Sequence, residues 1–128
     1  MQDKNLNSIS KAIIGAAIEV HRNLGPGLLE QAYKLALWHE LSLRGINAGM
    51  EVEVPLIYKG VNLGSAYRAD LLVEDEIIVE LKATENDNPL FARQLNTYLR
   101  LANKRLGLLI NFNHALLTHG VKRILNGY

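Results

Sequence analysis

The chain has 128 residues, 48% of them apolar, and a formal net charge of +1 at pH 7, enough for one compact domain over residues 1–128 and too little for two. The absence of cysteine excludes a disulfide framework and any thiolate zinc or iron–sulfur site, and so weak a charge does not by itself nominate a nucleic-acid binder. The longest apolar stretch, Ala12 to Ile18, is far short of a membrane span, and the reading is of a soluble, cytoplasmic protein with no membrane partner.

Along the chain, Ile9, Ala12, Ile13, Ala16, Ala17 and Val20 recur at helical spacing and predict an amphipathic helix over Asn7 to Asn23, capped by Ser8 or Ser10. Leu24-Gly25-Pro26-Gly27 ends it, because Pro26 disfavours helical geometry at Gly25 and the glycines accept positive φ. A second helix is predicted from about Leu28 to Arg44, stopped by Gly45. Glu51 to Tyr58 alternates as a strand, which Pro55 assigns to a sheet edge, and Lys59-Gly60 turns the chain into a strand over Val61 to Val73. Ile77 to Ala83 is a third strand, and the polar loop Thr84 to Asn88 caps a helix that begins near Pro89 and reaches about Asn103. Arg105 to Phe112 reads as a buried strand. The segment from about Gly120 to Asn126 reads either as a last strand or as a helical turn.

The chemistry concentrates in the second and third strands. Asp70 precedes the acidic turn Glu74-Asp75-Glu76, and Glu80-Leu81-Lys82 follows it. With a two-residue loop, Asp70 would face Val79 and the acidic groups would lie on opposite sheet faces. A three-residue loop pairs Val73 with Ile77, sets Asp70 across from Glu80, and leaves Lys82 on the same face. Two opposed carboxylates repel and call for a cation, and their hard oxygens suit Mg²⁺ or Mn²⁺. Lys82 would then stabilise charge at phosphorus, or orient and deprotonate the attacking water, as in metal-assisted cleavage of a phosphodiester. The bland alternative is a solvated strand face.

Asp70 with Glu80-x-Lys82 resembles the PD-(D/E)XK nuclease superfamily, and Gly27-Leu28-Leu29-Glu30-Gln31-Ala32-Tyr33 resembles the signature of its GxxExxY branch. The similarity of order runs from about Ile13 to Phe112, and Gln94-Leu95-Asn96-Thr97-Tyr98 resembles the Q-x-x-x-Y motif of RecB-like nucleases. Ala69 stands where the superfamily pattern has proline, which supplies no ligand. The resemblance implies an α/β, restriction-endonuclease-like core, a central mixed sheet flanked by helices in the order ααβββαβ. It also implies that Glu30, from the helix before the sheet, approaches the metal.

The remaining candidates are weaker. Tyr33 either contacts phosphate or packs, and Tyr98 is a substrate-side residue or a core one. Gln94 positions water, Lys82 or a phosphate, or is a surface amide, and Arg68 is one of several cations that suit phosphate. Arg93, Arg100 and Lys104 fall on the far face of their helix and read as solvated. The histidines, His21, His39, His114 and His119, lack metal-ligand spacing and rank below the carboxylates. The functional expectation is a nuclease acting on DNA, with Mg²⁺ or Mn²⁺ held by Asp70, Glu80, the Leu81 carbonyl and Glu30, working as a homodimer or with a partner protein. The alternative is a non-catalytic nucleic-acid- or protein-binding module on the same fold.

Overall fold

The computed structural model describes residues 2–127. Helices α1 (Gln2–Leu24) and α2 (Glu30–Leu43) lead into strands β1 (Ala48–Tyr58), β2 (Val61–Val73) and β3 (Ile77–Lys82). Helix α3 (Pro89–Ala102), strand β4 (Leu106–Asn111), a short 3₁₀ turn (Leu117–Gly120) and strand β5 (Val121–Leu125) complete the domain. The expected order holds, and the ambiguous C-terminal segment is a strand entered through the 3₁₀ turn. Helix α1 begins well before Ser8 and Ser10, so neither serine caps it, and Ser10 is buried. Among the described residues no helix is long and apolar enough to cross a membrane.

The five strands form one mixed sheet in the order β1-β2-β3-β4-β5. Only β3 and β4 run parallel, as they must when helix α3 returns the chain to the same end of the sheet. β1 is an edge strand, where the missing N–H of Pro55 is tolerated.

Each sheet face carries its own apolar layer. On one face α1 and α2 pack Ile13, Ala17, Tyr33, Leu37 and Leu41 against Leu71, Val73, Ile77, Val79 and Leu81. On the other, α3 sets Leu95 and Leu99 on Ala69, Ile78 and Leu109. Helix α3 comes close because Gly107 has no side chain; a Cβ there would lie 3.0 Å from Leu95. Asn88 caps α3 by accepting the Leu90 N–H, with Pro89 in its first turn. Lys104 is not solvated as expected. Its ammonium donates to the Asp75 carbonyl at 2.8 Å and ties the end of α3 to the β2–β3 turn.

The β2–β3 turn takes the longer form. Glu74 and Asp75 adopt left-handed φ values of 52° and 56°, the Glu76 N–H closes the turn on the Val73 carbonyl, and Val73 pairs with Ile77. Glu76 is the extra residue that sets the register.

The end of β4 is clamped. Asn111 is buried and donates to Asp87 Oδ1 and to the Thr84 carbonyl, while its own Oδ1 accepts the N–H groups of Thr84 and Asn113. Gly120 packs directly on the Asn111 carbonyl, with the His114 ring 2.8 Å from where a Cβ would stand. Gly120→Ala is therefore expected to lower unfolding free energy by about 1–3 kcal/mol in urea. Gly107→Ala, which meets only the Leu95 side chain, should cost less, and equal costs would contradict this packing.

Candidate active site

The β2–β3 ladder runs through Val73–Ile77, Leu72–Ile78 and Leu71–Val79 and then stops. The next residues in that register are Asp70 and Glu80. Here the carboxylates replace the ladder. Glu80 Oε1 accepts the Asp70 N–H at 3.1 Å, and Asp70 Oδ2 accepts the Leu81 N–H at 2.8 Å. A backbone amide left behind by a splayed strand needs an acceptor, and an ionised oxygen is a strong one.

The same point breaks the alternation of β2. Ala69 is buried in the α3 layer and Leu71 in the α1–α2 layer, although two residues apart on a regular strand they would share a face. Across the β1–β2 ladder, pairing skips from Met50–Leu71 to Val52–Ala69, omitting Glu51 and Asp70, and Glu51 has a φ of 53°. Glu51, Asp70 and Glu80 thus form a row across three strands where regular pairing is suspended.

Two side chains outside the expected set complete this row. Tyr67 donates its phenolic proton to Glu80 Oε1. Lys34, buried on α2, sets its Nζ 3.6 Å from Glu51 Oε1 and 3.9 Å from Asp70 Oδ1. After these contacts, Asp70 Oδ1 and Glu80 Oε2 accept no hydrogen bond among the described residues. Sequence reasoning missed Lys34, yet it shares the buried stripe of α2 with Tyr33, Leu37 and Leu41. A lysine in such a stripe implies a buried acidic partner.

Burial first, then the adjacent Asp70 charge, raises the Glu80 carboxyl from its ordinary 4.5 to about 7. The Tyr67 hydrogen bond, the Asp70 N–H and Lys82 pull it back only in part. Burial and the Glu80 charge push the Tyr67 phenol far upward, so it remains a donor. Tyr98 stacks on Tyr67 and is raised by burial and by Glu80. The tyrosine of the Gln94–Tyr98 pair therefore braces the donor to Glu80.

The other expected residues separate. Lys82 is half-buried with its Nζ 4.4 Å from the Phe91 ring centre, a cation–π contact at the start of α3. Gln94 is half-buried on α3, and Arg68 is exposed on β2. Tyr33 is fully buried and stacks on Phe112; its hydroxyl donates to the Gly25 carbonyl and accepts the Leu28 N–H. It braces the α1–α2 loop, the packing alternative of the two the sequence leaves open, and its hydroxyl is taken up by backbone instead of facing a phosphate. Glu30 is exposed in the first turn of α2. Among the described residues no group of three or more acidic or histidine side chains has a metal-holding arrangement. His114 serves the Asn111 clamp, with its Nε2 2.9 Å from Asp87 Oδ2, and Asp87 is held below its ordinary range first by the Asn111 hydrogen bond.

A sequence profile of the PD-(D/E)XK nuclease superfamily matches residues 7–124. The chain belongs to this superfamily. No curated protein and no solved structure gives a significant match. A mixed five-stranded sheet flanked by helices, with the Asp and the Glu-x-Lys on neighbouring strands, agrees with PD-(D/E)XK membership. Superfamily membership suggests a nuclease-type phosphodiesterase, and PD-(D/E)XK nucleases generally use divalent metal ions.

The raised Glu80 pKa sets a sign for stability in chelator. The folded protein holds a proton that the unfolded chain has lost between about pH 4.5 and about pH 7, so unfolding free energy falls as pH rises through that window. The expected fall is about 3 kcal/mol. Glu80→Gln keeps the acceptor without the charge and should flatten the profile and raise Tm at pH 8. A wild-type stability that rises from pH 5 to pH 8 in EDTA would count against the arrangement.

Proposed function

We propose that this protein is a metal-dependent nuclease that hydrolyses phosphodiester bonds in DNA and belongs to the GxxExxY branch of its superfamily. The observation that carries the reading is the suspended pairing of β2 and β3, where two adjacent carboxylates each keep one oxygen free of hydrogen bonds among the described residues and Lys82 follows Glu80 on the same strand.

The donor set fits a hard divalent cation. Asp70 and Glu80 repel one another, and their two oxygens without a hydrogen bond among the described residues, Asp70 Oδ1 and Glu80 Oε2, are of the hard type that Mg²⁺ or Mn²⁺ takes. Asp70, Glu80 and the Leu81 carbonyl would hold the ion. The Leu81 N–H already faces the gap, and the N–H and C=O of one strand residue point the same way. When bound, such an ion polarises the phosphate and favours an ionised attacking water.

The chain's own groups then have distinct tasks. Tyr67 fixes the Glu80 carboxylate by donating to Oε1, which leaves Oε2 as the oxygen that would be offered to a bound ion. Lys82 is held beside Phe91 and stabilises charge at phosphorus or orients the attacking water. Gln94, four residues before Tyr98 on α3, positions the water or a phosphate oxygen from the same helix face. Arg68, exposed next to Ala69 and Asp70, contacts a flanking phosphate. Glu30 serves the positive end of α2. Retention of both carboxylates and Lys82 supports catalysis over a binding module that only keeps the fold.

The test is cleavage of single- and double-stranded DNA and RNA in Mg²⁺, Mn²⁺ or EDTA by identically purified proteins. Wild type should cut DNA only with metal, Asp70→Ala should lose cutting, and Lys82→Ala should slow it by about a hundredfold or more. Wild-type cutting in EDTA, or full activity in K82A, contradicts these roles; no cutting in any condition favours the binding module.

A further inference from the structure

We infer that Lys34 is a resident counter-cation that competes with the divalent ion for Asp70, and that Glu51 sets the strength of that competition by sharing the ammonium. The inference rests on the proposed metal-binding role of Asp70 and Glu80. It adds two residues that neither the Asp70 and Glu80-x-Lys82 motif nor the Gln94–Tyr98 motif contains.

Three observations carry it. Lys34 is an apolar-stripe residue of α2 with a side chain only 11% exposed, so its ammonium cannot swing into solvent without leaving the core. It approaches Oδ1 of Asp70, the oxygen left over after Oδ2 accepts the Leu81 N–H, and that is the oxygen a metal ion would need. Its other partner, Glu51, has a side chain 50% exposed and sits where the edge strand takes a left-handed φ directly beside Asp70. Such backbone geometry at a glutamate is uncommon and persists where surroundings impose it.

A fixed positive charge beside Asp70 opposes entry of a second one, and the opposition is strong where water is largely excluded. Glu51 draws the ammonium away from Asp70 and weakens the opposition. Lys34 and Glu51 therefore act on metal affinity with opposite signs. A purely structural pair would lose stability in either variant without such a split.

The experiment is Mn²⁺ binding to the full chain, without nucleic acid, by calorimetry and by electron paramagnetic resonance of free Mn²⁺. Lys34→Gln should tighten binding by about tenfold or more, and Lys34→Arg should stay near wild type. Glu51→Gln should weaken binding several-fold in the wild-type background. In the K34Q background the same change should shift affinity by less than about twofold, because its effect runs through the lysine. Glu51→Gln alters a half-exposed side chain, so it tests the inference even if K34Q does not fold. Equal affinities in wild type, K34Q and E51Q overturn the inference and leave the metal site standing. Weakening by E51Q that is equal in both backgrounds overturns the part played by the shared ammonium. Absence of Mn²⁺ binding that depends on Asp70 and Glu80 overturns the metal reading itself, and this inference with it.

Discussion

Everything at the site depends on where β2 and β3 stop pairing. A continued ladder would satisfy the amides of Asp70 and Leu81 with carbonyls and free the acidic side chains to turn to solvent. Instead each strand's carboxylate accepts the other strand's N–H, and both side chains are held in the gap. A hydrogen bond to a charged group contributes about 1.5–3 kcal/mol, which offsets part of the cost of burying Glu80 next to Asp70. The remaining cost is visible in the raised Glu80 pKa. Cation binding is the natural response of such a pair.

The surrounding fold aims the two acids from opposite sides. From the α1–α2 layer, Lys34 reaches Asp70 and Glu51. From the α3 layer, the Tyr67–Tyr98 stack fixes Glu80, and Phe91 receives Lys82. The break in alternation at Asp70 is what lets one short strand segment address both layers. Beyond β3, the Lys82 carbonyl accepts the Phe112 N–H and Asn111 grips Thr84 and Asp87, so the exit from the Glu80-x-Lys82 strand is as constrained as its entry. A site on two strands supported by both layers suits chemistry that needs preorganised charge.

Much of the fold was legible because its signals are local. The spacing of Ile13, Ala17 and Val20, the Pro55 edge strand, the Asn88-Pro89 helix start and the length of the Glu74–Glu76 turn each involve residues close in sequence. The helix ends shifted by a few residues and the serine caps fell inside α1, because tertiary packing extends a helix beyond its strongest pattern. The adjacency of Asp70 and Glu80 was legible for the same reason, since a hairpin brings residues ten apart into register. For Tyr33 the sequence leaves phosphate contact and packing both open, because the motif names a residue and not the direction in which its ring is buried, and its burial against Phe112 is the packing alternative.

By itself the sequence determined the periodicities, the hairpin register and the carboxylate pair, all set by backbone geometry over a few residues. The tertiary structure decided which cations and donors meet that pair. Lys34, Glu51 and Tyr67 come from three different elements and converge only when the α1–α2 layer and the edge strand close on β2. It also left Glu30 exposed at the start of α2. The physical reason is range. Secondary structure follows from steric and hydrogen-bonding rules between neighbours, whereas the charge balance of a buried site depends on contacts that exist only after the layers pack.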